Sequence, residues 1–134
     1  MWIKTVPYDE SVGQLRDQYD RQVRALGEPT EMTAAGSLYP PLLEARLDLY
    51  GATERCPSRL TAHQRNLISY VTSSINHTGY CMSQVTIKLR ETGFSDDQIS
   101  LLAADPLAVD LPPADAALVR YTFKLTADPG SVTE

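Results

Sequence analysis

Apolar residues along this chain return at steps of three and four, the period of a helix with one buried face. Val12, Leu15, Tyr19, Val23 and Leu26 make the first such stripe, over Asp9 to Leu26, and Gly27 and Pro29 end it. Pro40-Pro41 suit the first turn of a second helix, where a missing N–H costs nothing. That helix carries Leu43, Leu47 and Tyr50 on one face, with Gly51 beyond it. Thr61-Ala62-His63-Gln64 has the hydroxyl and amide of a capping box. It predicts a helix with Leu67, Ile68, Val71 and Ile75 along its stripe, stopping near Asn76 to Gly79.

A further helix starts around Cys81, with Val85 and Leu89 at successive turns and Gly93 just past its end. Ser95-Asp96-Asp97-Gln98 is a second capping box, for a short helix bearing Ile99 and Leu102. Pro112-Pro113 begin a last helix with Leu118, Tyr121 or Thr122, and Leu125 inward, ending before Asp128-Pro129-Gly130. After that turn, Ser131-Val132-Thr133-Glu134 reads as the cap and first residue of another helix. No run alternates with period two, so the pattern predicts an all-α fold. At 134 residues the chain is read as one domain, 1–134.

Charge and composition remove several classes of function. The formal net charge is −5, and no lysine–arginine cluster occurs. Nucleic acid and anionic membrane surfaces are therefore not expected partners, since phosphates are bound by a cationic footprint. There is no secretory h-region at Met-Trp-Ile-Lys-Thr-Val-Pro and no apolar run near the ~20 residues that span a bilayer. Two cysteines, Cys56 and Cys81, do not make a disulfide framework. The expected location is the cytoplasm, and the sequon Asn76-His77-Thr78 is then idle.

Cys81 is the residue around which chemistry can be built. A thiol in the first turn of a helix faces unpaired N–H groups and the positive end of the dipole, which favour an anionic sulfur. The bland alternative is a buried cysteine serving as a small hydrophobe. His77, four residues earlier in the loop, is a candidate acid or base, or a solvated loop residue. His77 and Cys81 supply only two ligands, so no metal is expected, and no cofactor either. Asn66 and Tyr70 lie one turn apart on the preceding helix. Asn66 is read as a catalytic-site amide that binds substrate or supports an oxyanion. Tyr70, Thr78, Tyr80 and Gln84 complete a candidate substrate-binding set, with packing as the alternative role for both tyrosines.

Four separated blocks resemble the AhpD-like superfamily of alkylhydroperoxidases and carboxymuconolactone decarboxylases, in its peroxidase-related branch. These are Trp2-Ile3-Lys4-Thr5-Val6-Pro7, Leu60 to Ile68, Asn76 to Cys81, and Phe123 to Pro129. The resemblance implies a helical bundle. It also implies a site built from a Glu, then Cys-x-x-Cys-x-x-x-His, in which the second Cys attacks peroxide and the first resolves it. Carried onto this sequence, only the attacking cysteine survives, as Cys81. Asn66 stands at the Glu, Thr78 at the resolving Cys and Val85 at the His. Dithiol turnover is therefore not expected.

Three functions follow from that degenerate motif. One is a repurposed enzyme acting on a small organic molecule in a cavity around Cys81. Another is a single-cysteine peroxidase regenerated by an external thiol. The third is a non-catalytic subunit. The resemblance further implies two more helices after the point where this sequence stops, making the bundle truncated. Without them the faces of Leu67, Val71, Val85 and Leu118 are expected to be bare, and to be covered by a second copy or a separate chain.

Overall fold

The computed structural model describes residues 2–133. All regular structure among these is helical, and the chain divides into two compact units, Met1–Pro57 and Ser58–Glu134. The first unit holds α1 (Gly13–Leu26), α2 (Glu31–Ala35) and α3 (Pro40–Arg55). Leu15 and Tyr19 of α1 pack with Leu43 and Leu47 of α3, and Val6, Tyr8 and Ala34 close the edges. The segment before α1 is held by its backbone: Tyr19 Oη donates to the Val6 carbonyl at 2.7 Å, and the Val6 N–H donates to Ser37 Oγ at 2.8 Å.

Several boundaries differ from the periodic reading, each for a local reason. α1 begins at Gly13 rather than near Asp9, leaving Val12 80% exposed. The Tyr8 carbonyl is occupied by the Ser11 hydroxyl at 2.6 Å and Arg16 Nη1 at 3.2 Å, which holds residues 8–10 as a turn. Leu26 and Tyr50 also point outward. α2 was not legible as periodicity because it is one turn long; Thr30 caps it by accepting from the Thr33 N–H at 3.2 Å. α3 runs through Gly51 to Arg55, since one internal glycine costs a helix only about 1 kcal/mol. The Arg55 guanidinium lies over that glycine, where an added Cβ would sit 2.7 Å from Nη2.

A polar cluster braces the first unit. Asp20 accepts from Tyr8 Oη at 2.7 Å and Arg16 Nε at 3.1 Å, while the guanidinium stacks 4.0 Å from the Tyr8 ring centroid. The Tyr8 hydroxyl first, and then Arg16, hold the Asp20 carboxyl below its ordinary 3.8. A carboxyl depressed on folding contributes stability that is fully present above 3.8 and is lost as pH falls through the folded value. Asp20→Asn is therefore expected to destabilise the chain at neutral pH, with the gap to the parent shrinking below pH 3.8. Urea midpoints at the two pH values check this, and an unchanged gap contradicts it.

In the second unit α4 (Ala62–Ile75) is the common partner of α5 (Gly79–Glu91), α6 (Asp96–Ala104) and α7 (Pro113–Ala127), with a 3-10 turn at Pro129–Ser131. Leu67, Val71, Leu89 and Leu102 are fully excluded from water, and Tyr70, Phe94, Ile99, Val109 and Val119 join them. Burying each such side chain contributes roughly 1.5–3 kcal/mol. Both capping boxes form: Gln64 and Ser95 complete theirs with Thr61 and Gln98, at 3.0–3.2 Å. Gly93, at φ 98°, ends α5 in a Schellman motif, with the Gly93 N–H bonded to Arg90 O and the Phe94 N–H to Leu89 O.

Leu67 and Val71 are thus buried within this unit, by α5, α6 and α7, and are not a bare face. The inward positions of α7 are Val119 and Thr122, with Phe123 beside them; Tyr121 and Leu125 face out, 55% and 44% exposed. The stripe shifts because α7 has apolar residues on both sides, and contact with α4 selects one of them. Ser131 closes the 3-10 turn instead of capping a helix, and Glu134 lies outside the described residues. Among the described residues no helix is long and apolar enough to cross a membrane.

Candidate functional site

The turn between α4 and α5 is built by a second Schellman motif, this one without glycine. The His77 N–H bonds to Ser74 O at 3.1 Å and the Thr78 N–H to Ser73 O at 2.9 Å. This places His77 in the left-handed region at φ 53°. A non-glycine residue there costs roughly 1–2 kcal/mol, although histidine is among the types more often found there. His77 is exposed.

Thr78 stands at the N-cap of α5 but does not cap it. Its hydroxyl donates backwards to Ser73 O at 3.1 Å, and no side chain accepts from the first turn of the helix. That turn also carries no acidic residue. The other helices of this unit are compensated at the same end: α4 and α6 by capping boxes, α6 also by Asp96 and Asp97, and α7 by Asp115. α5 is the one α-helix of this unit, among the described residues, with neither a side-chain cap nor an acidic residue in its first turn. Cys81, the third residue of α5, sits there as an exposed free thiol.

The remaining predicted site residues fall on either side of the protein surface. Tyr80 and Gln84 are exposed beside Cys81 and one turn beyond it. Met82 and Val85 pack on the core cluster, so the position one turn after the sulfur is a packing contact. Asn66 is half-buried on α4. Tyr70 is 3% exposed, and its hydroxyl donates to the Ile99 carbonyl at 3.3 Å, tying α4 to α6. Its polar atom is directed to that helix. Cys56 is also exposed but lies at the C-terminal end of α3, its Sγ donating to Thr53 O at 3.1 Å. Among the described residues no three His, Cys, Asp or Glu side chains are placed to hold a metal ion.

One cleft of about 190 Å³ lies away from Cys81 in this unit, where the first turn of α4 meets the α5–α6 turn and the start of α7. His63 and Asp115 are on its wall, with Nε2 3.5 Å from Oδ2. The sequence marks His63 only as part of a capping box. Its partner is more than fifty residues later, at a separation no local pattern reports.

Comparison with known proteins agrees with this architecture. The search of curated proteins returned no significant match. The chain superposes on the crystal structure of an alkylhydroperoxidase AhpD core, an uncharacterized peroxidase-related protein from Ralstonia eutropha, with a TM-score of 0.83 at 20% identity. That match covers 98% of this chain and 70% of the other, and it establishes the all-α AhpD-like fold. Residues 40–129, from the start of α3 through α7, match the carboxymuconolactone decarboxylase family. Most of the sequence and nearly the whole backbone thus lead to one place: the chain belongs to the carboxymuconolactone decarboxylase family.

Proposed function

We propose that this protein is a single-cysteine thiol enzyme that reduces small hydroperoxides at Cys81 and is regenerated by a low-molecular-weight thiol. One observation carries the reading: among the described residues of its unit, Cys81 occupies the one α-helix N-terminus with neither a capping side chain nor a first-turn acidic residue, and it is exposed. The first-turn N–H groups place hydrogen-bond donors beside the sulfur, and exposure admits both an oxidant and a second thiol. The likeness to a peroxidase-related protein supports the same class of chemistry.

In the proposed cycle the Cys81 thiolate attacks the distal oxygen of a hydroperoxide. An S–O bond forms, the O–O bond breaks, and the leaving alkoxide takes a proton from water or from His77. The products are a sulfenic acid on Cys81 and an alcohol. Thr78 occupies the resolving position with a hydroxyl, which cannot form a disulfide, so an outside thiol attacks the sulfenic sulfur and water departs. A second thiol molecule cleaves that mixed disulfide and restores Cys81. The sum is one hydroperoxide and two thiols converted to one alcohol, one water and one disulfide. The thiol supply this requires fits a reducing compartment such as the cytoplasm.

Dimedone traps sulfenic acids and tests the first step. At sub-stoichiometric hydroperoxide, peptide mass mapping is expected to find the adduct on Cys81 and not on Cys56. Adducts equal on both cysteines, or on neither, overturn the proposal, and their absence would favour the non-catalytic subunit.

A further inference from the structure

We propose that the cleft at His63 binds a small organic cation, an ammonium or guanidinium group, independently of Cys81. Its charge and shape are the basis. Asp110 and Asp115 line it against one imidazole, His63, and no lysine or arginine, so the wall favours a cation over an anion. Phe94, Leu111 and Pro112 give it an apolar side. The volume, about 190 Å³, is below the roughly 300 Å³ at which drug-sized pockets begin, which suits a single charged group with a few carbons.

The imidazole in the cleft is held from two directions. The His63 ring stacks on Phe94, with centroids 5.2 Å apart and planes 19° from parallel. Its Nε2 faces Asp115 Oδ2 at 3.5 Å, and Asp115 Oδ1 is fixed by Gln64 Nε2 at 2.9 Å. Gln64 is itself locked in the capping box with Thr61. Asp115 is therefore a preorganised acceptor on a rigid helix start, with 14% of its side chain exposed. Asp110 makes no hydrogen bond or ion pair to a side chain among the described residues, which leaves its carboxylate to the ligand. A guanidinium suits such a lining, since its edge donates to carboxylates and its face packs on apolar side chains.

Proton NMR of the full chain tests this, because its two histidines, His63 and His77, report on separate places. Methylguanidinium and methylammonium are the probes. Methylurea is the neutral counterpart of the first, and acetate is the anionic control. Titration with the cations is expected to move the His63 ring signals along a saturating curve and to leave His77 unmoved. Asp110→Asn, a change in an exposed loop, is expected to weaken the affinity about two- to fivefold, the scale of an exposed ion pair. A blocked Gly-Arg-Gly peptide separates sources: tighter binding than methylguanidinium assigns the cleft to an arginine of a partner chain, and equal or weaker binding assigns it to a free amine. Equal responses to methylurea and methylguanidinium, equal movement of His77, or an unchanged affinity in Asp110→Asn overturns the proposal. None of these outcomes bears on sulfenic acid formation at Cys81.

Discussion

Leu89→Ala is expected to lower the stability of the chain by about 2–5 kcal/mol, the largest effect of any single truncation considered. Leu89 is fully buried in the core cluster, near the end of α5, and its carbonyl accepts from the Thr92 and Phe94 N–H groups at 3.1 Å. Removing the isobutyl group loses its transfer energy. It also leaves a void that α4 and the Schellman turn restrict from collapsing. Domains of this size are stable by only about 5–15 kcal/mol, so the variant gives up a large share of that margin. Tyr121→Ala, on the outward face of α7, provides the contrast and is expected to change stability by at most about 0.5 kcal/mol. Urea unfolding followed by far-ultraviolet circular dichroism measures both. A Leu89→Ala midpoint within error of the parent contradicts the core assignment.

Cys81→Ser is expected to lower thiol-dependent hydroperoxide reduction by more than about a hundredfold, since it removes the atom that forms the new bond. The side chain is exposed and nearly isosteric, so helical content is expected to stay as it is. Cys56→Ser is the matched control. Its sulfur lies at the opposite end of a helix, where the backbone presents carbonyl oxygens, and activity is expected to persist. Loss of activity in both variants, or in neither, removes Cys81 as the reacting group. Thr78→Cys addresses the companion position: with a thiol three residues before Cys81, peroxide is expected to leave an internal disulfide, visible as loss of two free thiols by titration.

Much of the helical layout was readable because the energies involved are local. A capping box places its donor and acceptor three residues apart, so Thr61–Gln64 and Ser95–Gln98 are visible to inspection and both form. Gly93 ends α5 as its spacing suggests, because the left-handed position is easiest for glycine. Periodicity failed where a helix has apolar residues all round. On α7 it selected Leu118, Tyr121 or Thr122, and Leu125; packing against α4 instead buries Val119 and Thr122 and leaves Tyr121 and Leu125 outside. The expected bare face at Leu67 and Val71 failed for a related reason: the amount of cover that α5, α6 and α7 provide is a property of their arrangement, not of any one stripe.

The site divides in the same way. The sequence alone determined that Cys81 would lie in the first turn of a helix and that a threonine, Thr78, stands three residues before it. These depend on residue identity and short spacing. Tertiary structure alone decided that Tyr70 turns its hydroxyl to Ile99 while Thr78 turns its own back to Ser73, leaving α5 uncapped. It alone brought His63 to Asp115 across more than fifty residues. Tyr70–Ile99 and His63–Asp115 join residues far apart in sequence, and a one-dimensional pattern carries no record of which partner is near. Thr78 chooses between the nearby Ser73 carbonyl and the N–H groups of α5, a choice that residue type does not settle.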